Sequence, residues 1–555
     1  MNVNTVMSDI QRKIKDLKIN DSLQNHNYIK AAQKARKWIK RNTVQGKGIV
    51  ITNKQRKIYQ EVTGYYIPTL MQWGMRDEAI AYSEYLCGIQ EKDGSWLDYT
   101  QTRSSVFNTG QVLRGLYEVA DIYPNAYEHL IRGCDWLISN VKEDGRLAAT
   151  EGTSWSDGFN SELIHLYCLP PLLYTGKKYG RTDYVEAVHK VKKYYIREYK
   201  QDIENFNYLS HFYAYIMEAL VDIGEIDIVK NAMSKVEKLQ KVDGAVPAFK
   251  SCDWVCSTGL FQFAIVWFKL GDWKHGNKAF DYATSLQNET GGWYGGYPAS
   301  LRFLGNKRVP YSITEEISYF PNEEISWAVK YFFDALHYRE KLEFEIKAST
   351  FIEHIDSSDG KYQCVYNELR KLINVNDRAV LKIADIGCGK GSYLKKLLLD
   401  FQGVECYGLD LSEAVLKYIN NPKIKISVGN ILNTNYEDET FDMVFATESI
   451  EHAIFIDLAI KELCRITKPG GSIVIIDRVD EAFNAFKYAE WFYPEELSTK
   501  QWLNMEVMVE LFENNGITDA EVLEVTVYEG RLYKAIIGKK KRGICNDRML
   551  RKCIS

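Results

Sequence analysis

No stretch of the chain is apolar for long enough to cross a bilayer. The longest strongly apolar run, Gly259 to Leu270, falls well short of the roughly 20 residues a spanning helix needs. A dominant charge is lacking too: 70 Lys and Arg face 74 Asp and Glu, a net charge of -4, so no whole-chain basic field points to nucleic acid. The eleven Cys show neither the paired spacing of a disulfide framework nor that of a zinc knuckle, which suits a reducing compartment. The opening MNVNTVMSDIQRKIKD has no apolar signal-peptide core, so a cytoplasmic protein is expected. What is present is ordinary globular composition, 46% apolar and 26% charged, which excludes wholesale disorder. At 555 residues the chain exceeds one core of usual size, and two or more domains are expected.

Tryptophan marks the division. Ten of the twelve precede residue 345, and only Trp491 and Trp502 follow it. The charged stretch REKLEFEIK and the loop-like HIDSSDG place a linker at 341–359. An N-terminal extension (1–27), a first domain (28–340), a second (360–540) and a basic tail (541–555) complete the expected organisation.

The first domain repeats itself. IQEKDGSW (89–96), LQKVDGAV (239–246) and LQNETGGW (286–293) each put Gln four residues before a Gly and a large apolar residue two beyond it. Gly145 keeps the same beat, giving intervals of 51, 99 and 47 residues between Gly94, Gly145, Gly244 and Gly291. With the Gly46–Gly48 turn and a skipped beat near residue 195, this makes six units of about fifty residues. The segment before each turn is amphipathic at helical spacing; the one after it is more apolar and rich in small residues. Each unit therefore reads as an outer helix, a glycine turn and an inner helix, and six such pairs would close into an all-α (α/α)6 toroid.

Gln-x3-Gly-x-Trp at 90–96 and 287–293 resembles the QW repeat of the squalene cyclase and prenyltransferase superfamily of toroids, over roughly residues 28–340. The resemblance implies architecture more than chemistry. No Asp-x-Asp-Asp acid motif occurs, and Cys252 and Cys256, placed on one helical face, make no zinc set, so no metal is expected. Toroids of this kind also serve glycan hydrolases, lyases and epimerases. Inner segments open with Thr63–Gly64, Thr109–Gly110 and Thr258–Gly259, where Thr can cap a helix. Their N-termini would converge at one mouth favouring an anionic or polyhydroxylated ligand. Glu61, Tyr65, Tyr66, Asn108, Gln111, Trp155, Asp157, Glu162, His211, Trp254 and Trp327 are placed around it, aromatic walls with polar rims that suit a sugar ring.

From Arg378 strands and helices alternate, which implies a mainly parallel sheet covered on both faces, a Rossmann-like α/β domain. Asp385-Ile-Gly387-Cys-Gly389-Lys-Gly391 follows a strand and opens a helix, and bare glycines let main chain approach a ligand. Asp410 ends the next strand, 25 residues on, where an acid can accept both ribose hydroxyls.

This spacing, with FDMVFATESIEHA (441–453) and LCRITKPGGSIVIID (463–477) following in order, resembles the class I S-adenosyl-L-methionine (SAM)-dependent methyltransferases, in particular the small-molecule, type 11-like group. The match runs over about 360–540. It implies SAM as cofactor, held by Asp385, Gly387, Gly389, Gly391, Asp410, Leu411, Asn430 and Ile431, with Asn430 standing where the group usually has Asp. It implies an acceptor near Glu448, Glu451 and His452, with His452 able to take a hydroxyl proton. Arg478 stands ready for an anionic acceptor. No Asn-Pro-Pro-Tyr follows the fourth strand, which argues against amino methylation of nucleic-acid bases.

Lys539–Arg542, where the second domain meets the tail, form a patch suited to anionic phospholipid or simply to solvent. The expectation is a cytoplasmic SAM-dependent methyltransferase fused to a toroid, O-methylating a carbohydrate or small-molecule acceptor in surface-glycan (polysaccharide) biosynthesis. The alternatives are a toroid that is itself a glycan lyase, hydrolase or epimerase, a toroid holding an isoprenoid or lipid carrier, and a non-catalytic scaffold.

Overall fold

The structure, a computed structural model, describes residues 28–148, 161–298, 301–304, 307–310, 317–354, 360–373, 380–479, 501, 503–528 and 531–542. The expected N-terminal extension, Trp155, Asp157 and residues 543–555 of the tail lie outside them. Two compact units emerge, one of Lys30–Met71 with Met75–Leu342, the other built on Glu343–Ser555. Residues 341–354 of the expected linker are helical. Among the described residues no helix is long and apolar enough to cross a membrane.

The first unit is helical: α1 (28–42), α2 (Gln60–Gln72), α3 (Arg76–Gly88), α4 (Val106–Val119), α5 (Pro124–Ser139), α6 (Leu169–Tyr179), α7 (Thr182–Glu198), α8 (Lys200–Glu204), α9 (Ser210–Asp222), α10 (Ile226–Glu237), α11 (Ser257–Lys269), α12 (Trp273–Thr284) and the start of α13 (Ser326–His354). A 3-10 segment, Glu162–Cys168, leads into α6. Burial follows the expected alternation. In α11 every residue from Ser257 to Phe268 is buried, whereas α12 and α10 bury one face. A helix apolar all round needs protein on all sides, so the second helix of each pair is the inner one.

The repeat has a mechanical explanation. Gly94, Gly145, Gly244 and Gly291 all have φ between +94° and +99°, and a Cβ there would meet a carbonyl oxygen of a following or distant outer helix: Arg132 O at 2.5 Å, Lys190 O at 2.8 Å, Lys278 O at 2.0 Å and Lys34 O at 2.3 Å. Only glycine suits both demands. The Gln four residues earlier ties the same joint. Gln90 Nε2 donates to Gly94 O (2.9 Å) and His129 O (2.9 Å), Gln240 Nε2 to His275 O (3.0 Å), and Gln287 Nε2 to Gly291 O (3.1 Å) and Ala31 O (2.9 Å). Trp96 and Trp293 lock their turns backwards, donating to Leu86 O (2.9 Å) and Ala283 O (2.8 Å). The final turn thus binds the first helix. The skipped beat near residue 195 lies inside α7, and α8, without glycine, makes that connection.

The Thr-Gly pairs work differently from the expectation. Ser105, not Thr109, caps α4, accepting from Asn108 N at 3.2 Å. Thr63 and Thr109 lie a turn inside their helices and accept main-chain N–H groups of Ile49 (3.3 Å) and Trp96 (3.0 Å). The glycines allow inner helices to touch. A Cβ on Gly64 would sit 2.6 Å from Val112 Cα, on Gly110 2.4 Å from Cys168 Sγ, and on Gly259 2.1 Å from Ser210 Oγ. Cys252 and Cys256 are likewise not on one helical face: Cys252 is in a loop and Cys256 ends the short strand Trp254–Cys256.

The second unit is a seven-stranded sheet of β1 (Leu381–Ile386), β2 (Val404–Asp410), β3 (Ile424–Val428), β4 (Phe441–Thr447), β5 (Thr467–Val479), β6 (Ile517–Tyr528) and β7 (Arg531–Lys540). Spatial order is β6-β7-β5-β4-β1-β2-β3; β1 to β5 are parallel, and β7 is antiparallel to both neighbours. The helices are α14 (Gly360–Lys371), α15 (Ser392–Asp400), α16 (Glu413–Leu416), α17 (Ile456–Ile466) and α18 (Met505–Asn514). Core residues include Ile383, Leu394, Cys406, Phe445, Val474 and Ile476. Strand order reverses between β1 and β4, and in such sheets ligands bind at the strands' carboxyl ends beside this switch.

Candidate functional site

Asp385, Gly387, Gly389 and Gly391 lie at the carboxyl end of β1. All three glycines have positive φ (+83°, +53° and +70°), so the turn doubles back sharply and Gly391 starts α15. Main-chain bonds fasten it to β2: Gly387 N donates to Leu409 O at 2.7 Å and Cys388 N to the same oxygen at 3.0 Å. A Cβ at Gly387 would meet Ser449 at 2.4 Å, whereas at Gly389 it would find nothing nearer than Val415 at 4.0 Å. The middle glycine therefore faces room, not packing.

Two acids flank this turn. Asp410 Oδ2 accepts Gly389 N at 2.9 Å and Oδ1 accepts Ser412 N at 3.0 Å. Asp385 is 1% exposed, and neither of its carboxylate oxygens has a partner among the described residues. Burial, with the charge of Asp410, raises its pKa well above the usual range. Such a group is costly unless a cation or donor arrives. Asn430 follows β3, and its Oδ1 accepts Leu432 N at 2.9 Å, shaping the turn that carries Ile431. Leu411 is half-buried beside Asp410. A buried carboxylate with open oxygens, a bare glycine turn and an acid on the next strand fit a nucleoside that carries an amino-acid group.

Beyond β4 two side-chain groups form. Glu451 is fully buried and ion-paired with Arg478, while Asp477 accepts Glu451 N (3.3 Å) and Arg478 N (2.8 Å). His452 Nε2 is 3.5 Å from Glu451 Oε1, and its ring packs edge-on against Phe344. Glu448 belongs to the other group, with Lys361 Nζ at 2.8 Å and Tyr533 OH at 3.2 Å. Lys361, Tyr533, Ser449 and Tyr393 are absent from the sequence reading. They stand on α14, β7, the β4 turn and α15, and no spacing motif joins them.

In the helical unit Glu61, Tyr65, His211 and Trp327 gather with Tyr59, Tyr215, Tyr319 and Tyr331. Glu61 accepts the Tyr59 hydroxyl at 2.5 Å, and burial pushes its pKa up to about 7. His211 stacks on Trp327 (6.4 Å, 6°), bonds Gln262 Oε1 at 2.6 Å and is pushed by burial down to about 3, so its imidazole is neutral. Trp327 Nε1 donates to Tyr319 OH at 3.0 Å, and Tyr65 packs on Tyr331. Gln111 Oε1 and Gln262 Nε2 are buried without partners among the described residues. Asn108 lies beside Tyr59 of this cluster and Trp254 in the apolar group that Tyr319 packs against, whereas Glu162 and Tyr66 make other contacts. Asn108 Nδ2 donates to Leu97 O at 2.7 Å, Trp254 packs on Phe249, and Glu162 is held by Arg146 and by Tyr195 OH at 2.8 Å. Tyr66 donates to Ser326 O at 2.8 Å. Among the described residues Glu237, Asp272 and His275 bring three donor atoms within 4.8 Å of one another, but Asp272 is committed to capping α12.

Residues 384–475 match the family described as Methyltransferase domain. The chain is 26% identical over 177 residues to the chloroplastic tocopherol O-methyltransferase of Arabidopsis thaliana, covering 29% of this chain and 51% of that protein. It is 30% identical over 153 residues to norajmaline N-methyltransferase of Rauvolfia serpentina, covering 26% and 51%. The chain thus spans about half the length of these curated relatives. Among solved structures, a geranyl diphosphate C-methyltransferase from Streptomyces coelicolor A3(2), crystallised with Mg2+, geranyl diphosphate and S-adenosyl-L-homocysteine, is similar at 15% identity and a TM-score of 0.28, covering 36% of this chain and 84% of that one. The sheet unit carries a class I methyltransferase domain.

Proposed function

We propose that the sheet unit transfers a methyl group from SAM to a small acceptor. The observation that carries this reading is the pairing of an open-oxygen, buried Asp385 with the Gly389–Asp410 bond across a bare glycine turn. When bound, SAM supplies an electrophilic sulfonium methyl. The protein's part is alignment. Asp385 would take the amino-acid end, main chain at Gly387–Gly391 would lie against the middle, and Asp410 would accept the ribose hydroxyls. Leu411, Asn430 and Ile431 would border the adenine. Residues after β4 would hold the acceptor, with His452 and Arg478 as candidates.

In this reading the helical unit is an (α/α)6 toroid that holds the acceptor. Support comes from the joint at Gly291 and Gln287, which returns to α1, and from the contact of α2 with α13 through Tyr66 and Ser326 O. The aromatic cluster with Glu61, Gln111 and Gln262 supports a polyhydroxylated acceptor, and hence O-methylation of a carbohydrate in surface-glycan biosynthesis in the cytoplasm. A dry isoprenoid or lipid tunnel fits less well, because the carboxyl of Glu61 is in the cluster. Glycan hydrolysis by Glu61 with Glu162 lacks support, since Arg146 and Tyr195 occupy Glu162. The basic stretch at Lys539–Arg542 would be the part of the chain to meet anionic lipid.

Calorimetry with S-adenosylhomocysteine tests it. Wild-type protein should bind, and Asp410→Ala should weaken binding by about 100-fold, the scale of two lost charge-assisted hydrogen bonds. Gly389→Trp should abolish it by filling the cradle. Unchanged affinity in either variant would refute the residue assignment, and no binding at all would favour a scaffold.

A further inference from the structure

The residue after β4 is held at a cost. Glu448 has φ +48°, a left-handed backbone that a non-glycine residue adopts rarely, and its N–H donates to Ile476 O at 2.9 Å. The next residue, Ser449, donates its hydroxyl to Ile386 O at 2.9 Å and touches Gly387, so Glu448 stands beside the mouth of the glycine turn. Three elements converge on its carboxylate: β4 presents it, Lys361 of α14 pairs with it at 2.8 Å, and Tyr533 of β7 donates to it at 3.2 Å. Lys361 also lies over the rings of Tyr528 and Tyr533, at 5.3 and 5.4 Å from their centroids. Tyr393, at the start of α15, lies within electrostatic reach of both Glu448 and Asp385.

We propose that Glu448 is the group that receives the acceptor's proton, that Lys361 and Tyr533 position it, and that the acceptor's nucleophile is a hydroxyl. This rests on the methyl-transfer reading above. As an oxygen lone pair takes the methyl carbon, the carbon–sulfur bond breaks with its electrons left on sulfur, and the hydroxyl proton passes to a Glu448 oxygen. The balance needs only the sulfonium methyl donor and a hydroxyl compound. His452 is less well placed for this work, because its ring is packed against Phe344 and beside the buried Glu451–Arg478 pair. The strained backbone has a purpose on this account, since it carries the Glu448 carboxylate to Lys361 and Tyr533.

The test needs no identified acceptor. S-adenosylhomocysteine is neutral at sulfur, whereas sinefungin carries an ammonium group where the transferable methyl stands. Glu448 should therefore read the difference between them. In calorimetry on the full chain, Glu448→Gln should weaken sinefungin by about tenfold, the scale of one charge-assisted hydrogen bond, and leave S-adenosylhomocysteine within about twofold. Lys361→Met should act in the opposite direction and strengthen sinefungin relative to S-adenosylhomocysteine, because it removes the cation that offsets Glu448. A merely structural carboxylate would not give opposite shifts in one ratio. An unchanged ratio in Glu448→Gln, or equal loss of both ligands, overturns the proposal. Failure of folded wild-type protein to bind either compound overturns the methyl-transfer reading itself, and the role of Glu448 with it.

Discussion

Asp410 Oδ2 accepts the main-chain N–H of Gly389 at 2.9 Å, so the acid that ends β2 is tied to the middle of the glycine turn after β1. The bond makes the two motifs one device. Asp410→Asn should lower the melting temperature, because its one amide oxygen can accept from only one of Gly389 N and Ser412 N and its NH2 faces the other donor. It should also weaken S-adenosylhomocysteine by about tenfold through loss of charge. Calorimetry beside a thermal melt separates the two effects.

Asp385 gives the site a proton linkage. Its pKa in the free protein is raised by burial and by Asp410. A bound ammonium group favours the carboxylate, so binding should release a proton where Asp385 is protonated, and affinity should climb as pH rises toward that raised pKa. Binding enthalpies in buffers of different ionisation heat would report the release. Asp385→Asn should abolish it; an unaltered release would assign the proton elsewhere.

Glu61 should make the helical unit less stable at alkaline pH. Its folded pKa of about 7 exceeds the ordinary 4.5, so the stabilising contribution is complete below the lower value and lost as pH rises through the upper one. Relative to wild type, Glu61→Gln should gain about 3 kcal/mol between pH 4.5 and 8. Urea unfolding followed by Trp fluorescence suits this, because ten of the twelve Trp precede residue 345.

The proposed closure of the helical unit into a ring would make its joints equal. Gln287→Ala should cost as much as Gln90→Ala, about 1–2 kcal/mol each, since both carboxamides tie a turn to another helix. In an open stack the terminal joint would matter less. A cost confined to Gln90 would argue against closure.

Gly64, on an inner helix, should resist change where Gly88, at the end of α3, does not. Gly64→Ala should destabilise by about 1–3 kcal/mol, because Val112 main chain lies 2.6 Å from the new Cβ. Gly88→Ala, with nothing within 4 Å, should be neutral or gain a few tenths of a kcal/mol.

Much of this was legible in the chain. The Gln-x3-Gly beat exposed the helix pairs because one glycine conformation and one carboxamide bridge recur at several joints. The order of strands after Arg378 was readable because β-branched runs alternate with helical spacing. Thr63 and Thr109 misled as caps, since a Thr a turn inside a helix looks the same in sequence as one at its end. Lys361 and Tyr533 were invisible for another reason. They meet Glu448 across separations of 87 and 85 residues, from elements that no motif marks. The helical unit's Glu162 looked equivalent to Glu61, and only its Arg146 and Tyr195 partners distinguish them.

The most direct measurement is a crystal structure of the full chain grown with S-adenosylhomocysteine. The account predicts its ribose hydroxyls on Asp410, its amino group at Asp385 and its thioether beside Gly387 and Glu448. A ligand bound elsewhere, or a crevice closed over the glycine turn at saturating ligand, would contradict it.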